Sequence, residues 1–395
     1  MKKIWTMALS ALLVLSLASC KQDTPDTPDI PVDTTLCAQT SAYLMAETET
    51  GFYYTTGNIL YYADRADLTQ WAPVCSRPDC SHSGPDCQAY LPNDGRFVLR
   101  EGRLYFCDSN SRYHPDEAAG TVLASMAYDG GDRKVAYTIP GSLSDAGGSD
   151  RFCLLGDQLI AMYCRMNEGG AFDTRMVRVD ETGEQELFTG AMEQLPSWLG
   201  SVTRYENMGG DTALYFCLDD SQENWAYTLY RPTANGLERL GDVSKLGSLM
   251  DLDFTGSYLS GETLRIYRPG DGYYDVNLTT GQETKALDAQ LENAWGWQLT
   301  EQYAVESTLL SRPLAHQEEP VDRVQAMTLY DGEQWRPVSL PEELAQGPLL
   351  QTLRPVAVAS DRIFFQIKLQ DQRCLYQVLP GENTLQMTRL FAFPG

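Results

Sequence analysis

Val98-Leu99-Arg100-Glu101-Gly102-Arg103-Leu104-Tyr105-Phe106-Cys107 reads as two short strands joined by a tight turn. Short apolar runs, Val98-Leu99 and Leu104 to Cys107, stand on either side of the polar turn around Glu101-Gly102, the pattern of two short strands bounded by a turn signal. Glycine at the turn supplies the positive φ that a short hairpin needs. The aromatic second strand of this hairpin recurs along the chain. Ile59-Leu60-Tyr61-Tyr62-Ala63 precedes it. Ala161-Met162-Tyr163-Cys164, Leu214-Tyr215-Phe216-Cys217, Leu264-Arg265-Ile266-Tyr267 and Ile363-Phe364-Phe365-Gln366 follow, and Tyr303 to Leu310 fills a weaker slot. Seven units over ~350 residues give a period of about 50, where repeats build propellers or solenoids.

Each unit has a similar internal order. A strand and turn lead into the aromatic strand, a variable loop follows, and a third strand ends in a tight turn before a fourth. The third-to-fourth turns are Tyr128-Asp129-Gly130, Asp180-Glu181-Thr182-Gly183, Thr233-Ala234-Asn235-Gly236, Thr279-Thr280-Gly281, Tyr330-Asp331-Gly332 and Pro380-Gly381-Glu382-Asn383. Four antiparallel strands in each of seven units predict an all-β chain, a β-propeller of seven four-stranded blades. A two-domain β-sandwich would not explain the repeated order of strand, loop and turn. Helical periodicity is confined to single turns at Pro341 to Ala345 and Asp288 to Asn293.

In a propeller the second-to-third loops share a face with the blade-to-blade connections. Here those loops are the long ones, at Asp108 to Gly120, Arg165 to Thr174, Asp219 to Asn224 and Arg312 to Asp322. Long loops on a rigid scaffold are where binding concentrates. Asp108, His114, Asp219, Asp220, His316 and Glu318 are the candidate binding-face residues. The plain alternative is solvated charge on drifting loops.

Ahead of the repeats stands an address. Lys2 and Lys3 precede an apolar run from Ile4 to Leu17, too short to span a bilayer, which ends in Leu17-Ala18-Ser19-Cys20. This box resembles the site of a lipoprotein signal peptidase, which implies cleavage after residue 19 and a diacylglycerol on the Cys20 sulfur. Lys21 to Leu36, KQDTPDTPDIPVDTTL, repeats proline every third residue among Asp and Thr and reads as an extended tether. The expected organisation is a signal peptide over 1–19, a lipidated cysteine and tether over 20–36, and one propeller domain over 37–395. The expected place is the outer face of the cell membrane, reached through the lipid anchor.

The chain has 395 residues and a formal net charge of −24. Such acidity opposes a polyphosphate partner, so nucleic acid is excluded. Hydrophobic residues make up 43% of the chain, too many for a disordered segment. The partners expected are the membrane and a protein or carbohydrate ligand.

Cysteines number 10, and they divide by context. Cys107, Cys164 and Cys217 share the end of the aromatic strand, and Cys153 and Cys374 lie in similar apolar surroundings. These predict core packing, because a free cysteine behaves as a small buried apolar residue. Cys75, Cys80, His82 and Cys87 are different. They fall within thirteen residues of a Pro- and Gly-broken loop, 75–90, between the first two units. One reading is a disulfide staple of the kind found in exported proteins, with Cys37 as a further partner. The other is a Cys3His site for tetrahedral Zn²⁺, although Cys-x4-Cys is wide for zinc. Both stay open on the sequence. No other cofactor is expected.

The lipobox, the Asp/Pro tether, the first aromatic unit and the Cys-x4-Cys-x-His-x4-Cys-x-Ala-Tyr segment together resemble lipoproteins of Firmicutes that carry TolB-like β-propeller repeats and a domain of unknown function. The resemblance implies a propeller and an anchored location, and it brings no activity. No Gly-x-Ser-x-Gly, Walker or His-Glu-x-x-His motif occurs, and the chain has only 3 His. The function expected is a binding or scaffold propeller. The alternative is an extracellular polysaccharide hydrolase or lyase on the same scaffold, whose paired carboxylates a sequence cannot locate.

Overall fold

The computed structural model describes residues 44–393 apart from 93–96, 115–119, 139–150, 156–157, 167–171, 181–182, 192–202, 205–208, 211–213, 220–224, 234–235, 243–256, 310–323, 346–349 and 370–371. Cys20, the tether, Cys37, Asp220, His316 and Glu318 lie outside the described residues. Within them the chain is nearly all strand, arranged as seven sheets. The first holds Met45–Glu47, Gly51–Thr56, Ile59–Asp64 and Ala72–Pro73, and the second Val98–Arg100, Arg103–Ser109, Thr121–Ala127 and Lys134–Thr138. The third is Arg151–Leu155, Gln158–Met166, Phe172–Asp180 and Gly183–Ala191, and the fourth Thr203–Arg204, Leu214–Asp219, Trp225–Thr233 and Gly236–Asp242. The fifth is Tyr258–Ser260, Thr263–Arg268, Gly272–Asn277 and Glu283–Asp288, and the sixth Ala294–Gln298, Ala304–Leu309, Val324–Tyr330 and Trp335–Ser339. Leu350–Val358, Ile363–Leu369, Gln372–Val378 and Thr388–Phe393 make the seventh.

These strands pair antiparallel in chain order within their sheets, so each sheet is a meander. Two short strands pair parallel across sheets: Gly209–Gly210 joins the fifth sheet, and Leu385–Gln386 joins the sixth. The hairpin at Glu101-Gly102 forms as its residues predict, with Leu99 opposite Leu104. Both turn residues have positive φ, 49° and 75°, which matches the twist of the flanking strands.

The first sheet differs from the reading of its sequence. Ile59–Asp64 is the third strand there, and Gly51–Thr56 holds the second position that the aromatic strands occupy in the other sheets. The two runs, Phe52-Tyr53-Tyr54 and Leu60-Tyr61-Tyr62, look alike as sequence. Only Asn58, at φ 65°, and Gly57, at φ 59°, separate them. The helical turn expected at Asp288 to Asn293 is also absent, since Asp288 ends a strand and no helix follows. The backbone N–H groups of Gln290 and Leu291 instead donate to the buried Glu306 carboxylate, each at 2.9 Å. The turn expected near Pro341 does form, as Glu342–Ala345.

The second strands of the first and seventh sheets are covered on both faces. Every residue of Gly51–Thr56 is buried, and Ile363–Leu369 is buried except for Lys368. The outer strand Lys134–Thr138 shows the alternation of a one-sided strand. Large side chains carry the packing between neighbouring sheets. Tyr53 Oη donates to the Tyr128 carbonyl from the first sheet toward the second, and Tyr273 Oη to the Val305 carbonyl from the fifth toward the sixth. Leu329, Val338 and Met327 of the sixth sheet share one apolar cluster with Phe365, Ile367 and Tyr376 of the seventh. The first and seventh sheets are in contact too. Phe52 and Phe364 meet edge to face at 5.0 Å, and Ser360 donates to the Glu47 carboxylate through its backbone N and Oγ at 3.1 and 2.9 Å.

Burial raises the Glu306 carboxyl above its ordinary value, against the two backbone donors. A carboxyl raised in the folded state stabilises most while protonated, and its contribution is lost as pH rises through the folded value. Glu306→Gln keeps an acceptor for both N–H groups and removes the charge. The variant is expected to gain on the parent chain as pH increases from about 4 to 7. Glu306→Ala, which strands both donors, is expected to lose about 1–3 kcal/mol at every pH. Urea unfolding at several pH values checks both.

Candidate functional site

The loop after Ala72–Pro73 starts as a short turn and then leaves the sheet. It is fixed at its ends by apolar side chains: Trp71, Val74, Ala89 and Leu91 are buried. Its return is pinned to the hairpin of the first sheet, with Leu91 N donating to Asn58 O at 2.8 Å and Leu60 N to Ala89 O at 2.8 Å. Between these anchors the path is made of bends and turns, with Cys80 N bonded to Arg77 O and Cys87 N to Gly84 O. The chain here buries little apolar surface of its own, so its shape depends on what the polar side chains do.

These turns bring Cys75, Cys80, His82 and Cys87 together, one ligand atom from each, all within 4.8 Å of one another. Cys87 is buried, and the other three are half-buried. Cys87 Sγ lies 3.5 Å from His82 Nδ1. Two N–H groups point at the sulfurs: Ala89 N at 3.3 Å from Cys87 Sγ, and Arg77 Nη2 at 3.4 Å from Cys80 Sγ. Burial pushes the Cys87 thiol up to about 12. Burial acts the same way on Cys75, but hydrogen bonds from Arg77 and Gln88 outweigh it, and the Cys75 thiol is held below its ordinary value. Three sulfurs and an imidazole nitrogen form a donor set suited to a soft or borderline metal ion.

Beside this cluster, a cleft of about 720 Å³ separates the loop from the second sheet. Arg77, Gln88 and Tyr90 line one wall and Asp108, Arg112 and Arg133 the other. Asp108, expected on an open loop, lies inside the strand Arg103–Ser109 and is buried. Its Oδ2 accepts from Arg133 Nη2 at 2.5 Å and Tyr113 Oη at 2.8 Å, and its Oδ1 from Ser109 N at 2.8 Å. Arg133 also donates to the carbonyls of Gln88 and Tyr90, at 3.2 and 3.0 Å, and lies over the Phe106 ring at 4.5 Å. The Arg133 guanidinium therefore ties the loop to the second sheet. Asp108 is packing for the site, and His114 is exposed in that connection. Asp219 ends the strand Leu214–Asp219 in the fourth sheet. The structure brings Cys75, Cys80, His82 and Cys87 together, with Asp108 across the cleft.

The sequence reading missed Arg77, Gln88 and Arg133. Arg77 stands two residues after Cys75, so its place within the cysteine segment was a signal. Arg133 is 45 residues from Gln88, and nothing local marks it. Cys107 and Cys374 are buried in their strands, as packing requires.

No family model and no curated protein sequence matches the chain. Among solved structures it is similar to YCF48 bound to D1 peptide, with a TM-score of 0.46 and 14% identity over 84% of this chain and 90% of that one. It is similar to an acylaminoacyl peptidase in complex with a chloromethyl ketone, with a TM-score of 0.44 and 12% identity over 89% of this chain and 52% of that one. It is also similar to Saccharomyces cerevisiae Sqt1, with a TM-score of 0.40 and 10% identity over 88% of this chain and 84% of that one. All three scores lie below 0.5, and neither fold nor function is carried over from them.

Proposed function

We propose that the chain is a lipid-anchored, seven-bladed β-propeller on the outer face of the cell membrane, where it binds or organises a protein or carbohydrate partner. The observation that carries the architecture is the contact between the first and seventh sheets at Phe52–Phe364 and Glu47–Ser360. Seven meanders that follow one another in sequence, with the last packed on the first, have the connectivity of a ring of blades. A ring removes the exposed sheet faces that an open array of aromatic strands would leave at its two ends. The anchor rests on the basic start, the apolar run and Leu17-Ala18-Ser19-Cys20. Multiple acyl chains on one cysteine hold a protein firmly, where a single chain is marginal. The tether then gives the propeller reach above the bilayer. Loops on one face of a rigid ring supply the binding surface.

The experiment follows the chain in a bacterial host fed labelled fatty acid. The parent chain is expected to take up label, to fractionate with the membrane and to be digested by protease added to intact spheroplasts. Cys20→Ala is expected to lose the label and leave the membrane fraction. A parent chain that stays unlabelled and protected from the protease overturns the anchored reading.

A further inference from the structure

We propose that Cys75, Cys80, His82 and Cys87 form a closed, structural zinc site that fixes the loop between the first and second sheets. In a tetrahedral site with Zn–S near 2.3 Å and Zn–N near 2.0 Å, two sulfurs sit about 3.8 Å apart and a sulfur and nitrogen about 3.5 Å apart. Here the four ligand atoms lie within 4.8 Å of one another, and the Cys87–His82 pair lies at 3.5 Å. With every remaining edge at or below 4.8 Å, contractions of no more than roughly 1.3 Å close the tetrahedron around an ion. A disulfide would use two of these groups. It would leave His82 and the third cysteine without a reason to converge on the same point. Four protein ligands leave no open position for water or substrate, which is the mark of a structural rather than a catalytic zinc.

The surroundings suit the charge of such a site. Binding displaces one proton from each of the three thiols, while His82 coordinates as the neutral imidazole. The resulting complex of Zn²⁺ and three thiolates carries one net negative charge. Arg77, with Nη2 3.4 Å from Cys80 Sγ, offers one positive charge. The Ala89 N–H, 3.3 Å from Cys87 Sγ, adds a fixed dipole directed at a sulfur. Donors of this kind orient the ligands and stabilise the thiolates. The loop also needs a staple. It is made of turns, lies next to a cleft and is tied at its exit to the second sheet by hydrogen bonds from Arg133. Zinc would fix its middle, where Cys75, Cys80, His82 and Cys87 are.

The test uses the full chain, purified with its thiols protected and dialysed against zinc. Elemental analysis is expected to find one zinc per chain. Cobalt exchanged for the zinc is expected to show the strong near-ultraviolet thiolate-to-metal absorption and the visible bands of a tetrahedral ion. Cys80→Ser and His82→Ala are expected to lose zinc at chelator concentrations that the parent chain survives. Arg77→Ala, which keeps all four ligands, is expected to bind zinc about 10- to 100-fold more weakly. Far-ultraviolet circular dichroism confirms that each variant remains folded, and the parent chain alone decides the matter if one does not. A chain that stays free of zinc with its thiols reduced overturns the proposal. So does a disulfide joining two of Cys75, Cys80 and Cys87 in protein alkylated directly from cells. Zinc affinity unchanged in His82→Ala would overturn the four-ligand site.

Discussion

Arg133→Ala is expected to lower the free energy of unfolding by about 3–5 kcal/mol, because it leaves the Asp108 carboxylate buried without its charged partner. The Asp108 side chain is 1% exposed and that of Arg133 13%, so water cannot replace the lost interaction at the carboxylate. Arg112 lies 3.5 Å from the same oxygen, but it offers a longer contact and lies over the Tyr90 ring. The substitution also removes the donors to the Gln88 and Tyr90 carbonyls and the cation over Phe106. Urea titration should show a lower midpoint with an unchanged slope. Hydrogen exchange should accelerate at Leu91 N, whose bond to Asn58 O pins the loop exit. Removing both charges, as Asp108→Asn with Arg133→Gln, is expected to be milder than the sum of the single changes. A loss below about 1 kcal/mol in Arg133→Ala would mean that Asp108 is reached by solvent.

Phe364→Ala is expected to cost about 3–5 kcal/mol, the range for emptying a fully buried aromatic site. Phe364 and Phe52 are both fully buried, and their rings pack edge to face at 5.0 Å between the seventh and first sheets. The Arg65 guanidinium lies over the Phe52 ring, 5.0 Å from its centroid. Thermal unfolding should fall by several degrees. The informative measurement is the double-mutant cycle of Phe52→Leu with Phe364→Leu. A coupling of about 0.5–1.5 kcal/mol is expected for rings in contact. A coupling of zero would mean that the two sheets fold without touching, and the closed ring would be wrong. Glu47→Ala should also weaken this seam, since its carboxylate accepts both bonds from Ser360.

The sheets were legible in the sequence for a local reason. Strand alternation, aromatic runs and Gly, Asn or Asp at the turns act between residues that are near one another along the chain. Val98 to Cys107 forms the predicted hairpin, and Thr279-Thr280-Gly281 and Tyr330-Asp331-Gly332 join third strands to fourth strands. The error in the first sheet has the same local origin. Phe52-Tyr53-Tyr54 and Leu60-Tyr61-Tyr62 carry equal signals, and only pairing with Met45–Glu47 decides which is second. Cys107 could be read as core because its neighbours in sequence are strand residues. Asp108, next to it, could not be read as buried, because the partner that permits its burial is 25 residues away.

By itself, the sequence determined an all-β chain of repeated four-stranded units, an acidic body behind a lipobox-like start, and a loop with three cysteines and a histidine close together. Each of these follows from residue type and short spacing. The tertiary structure decided the rest. It set the seventh sheet against the first through Phe364 and Phe52, buried Asp108 under Arg133, and brought four ligand atoms within 4.8 Å of one another. The physical reason is that convergence depends on where turns aim side chains and on which distant groups satisfy a buried charge. Spacing along the chain places the four ligands in one loop, and only the folded path of that loop, held by Leu91 and Arg133, makes them a single site.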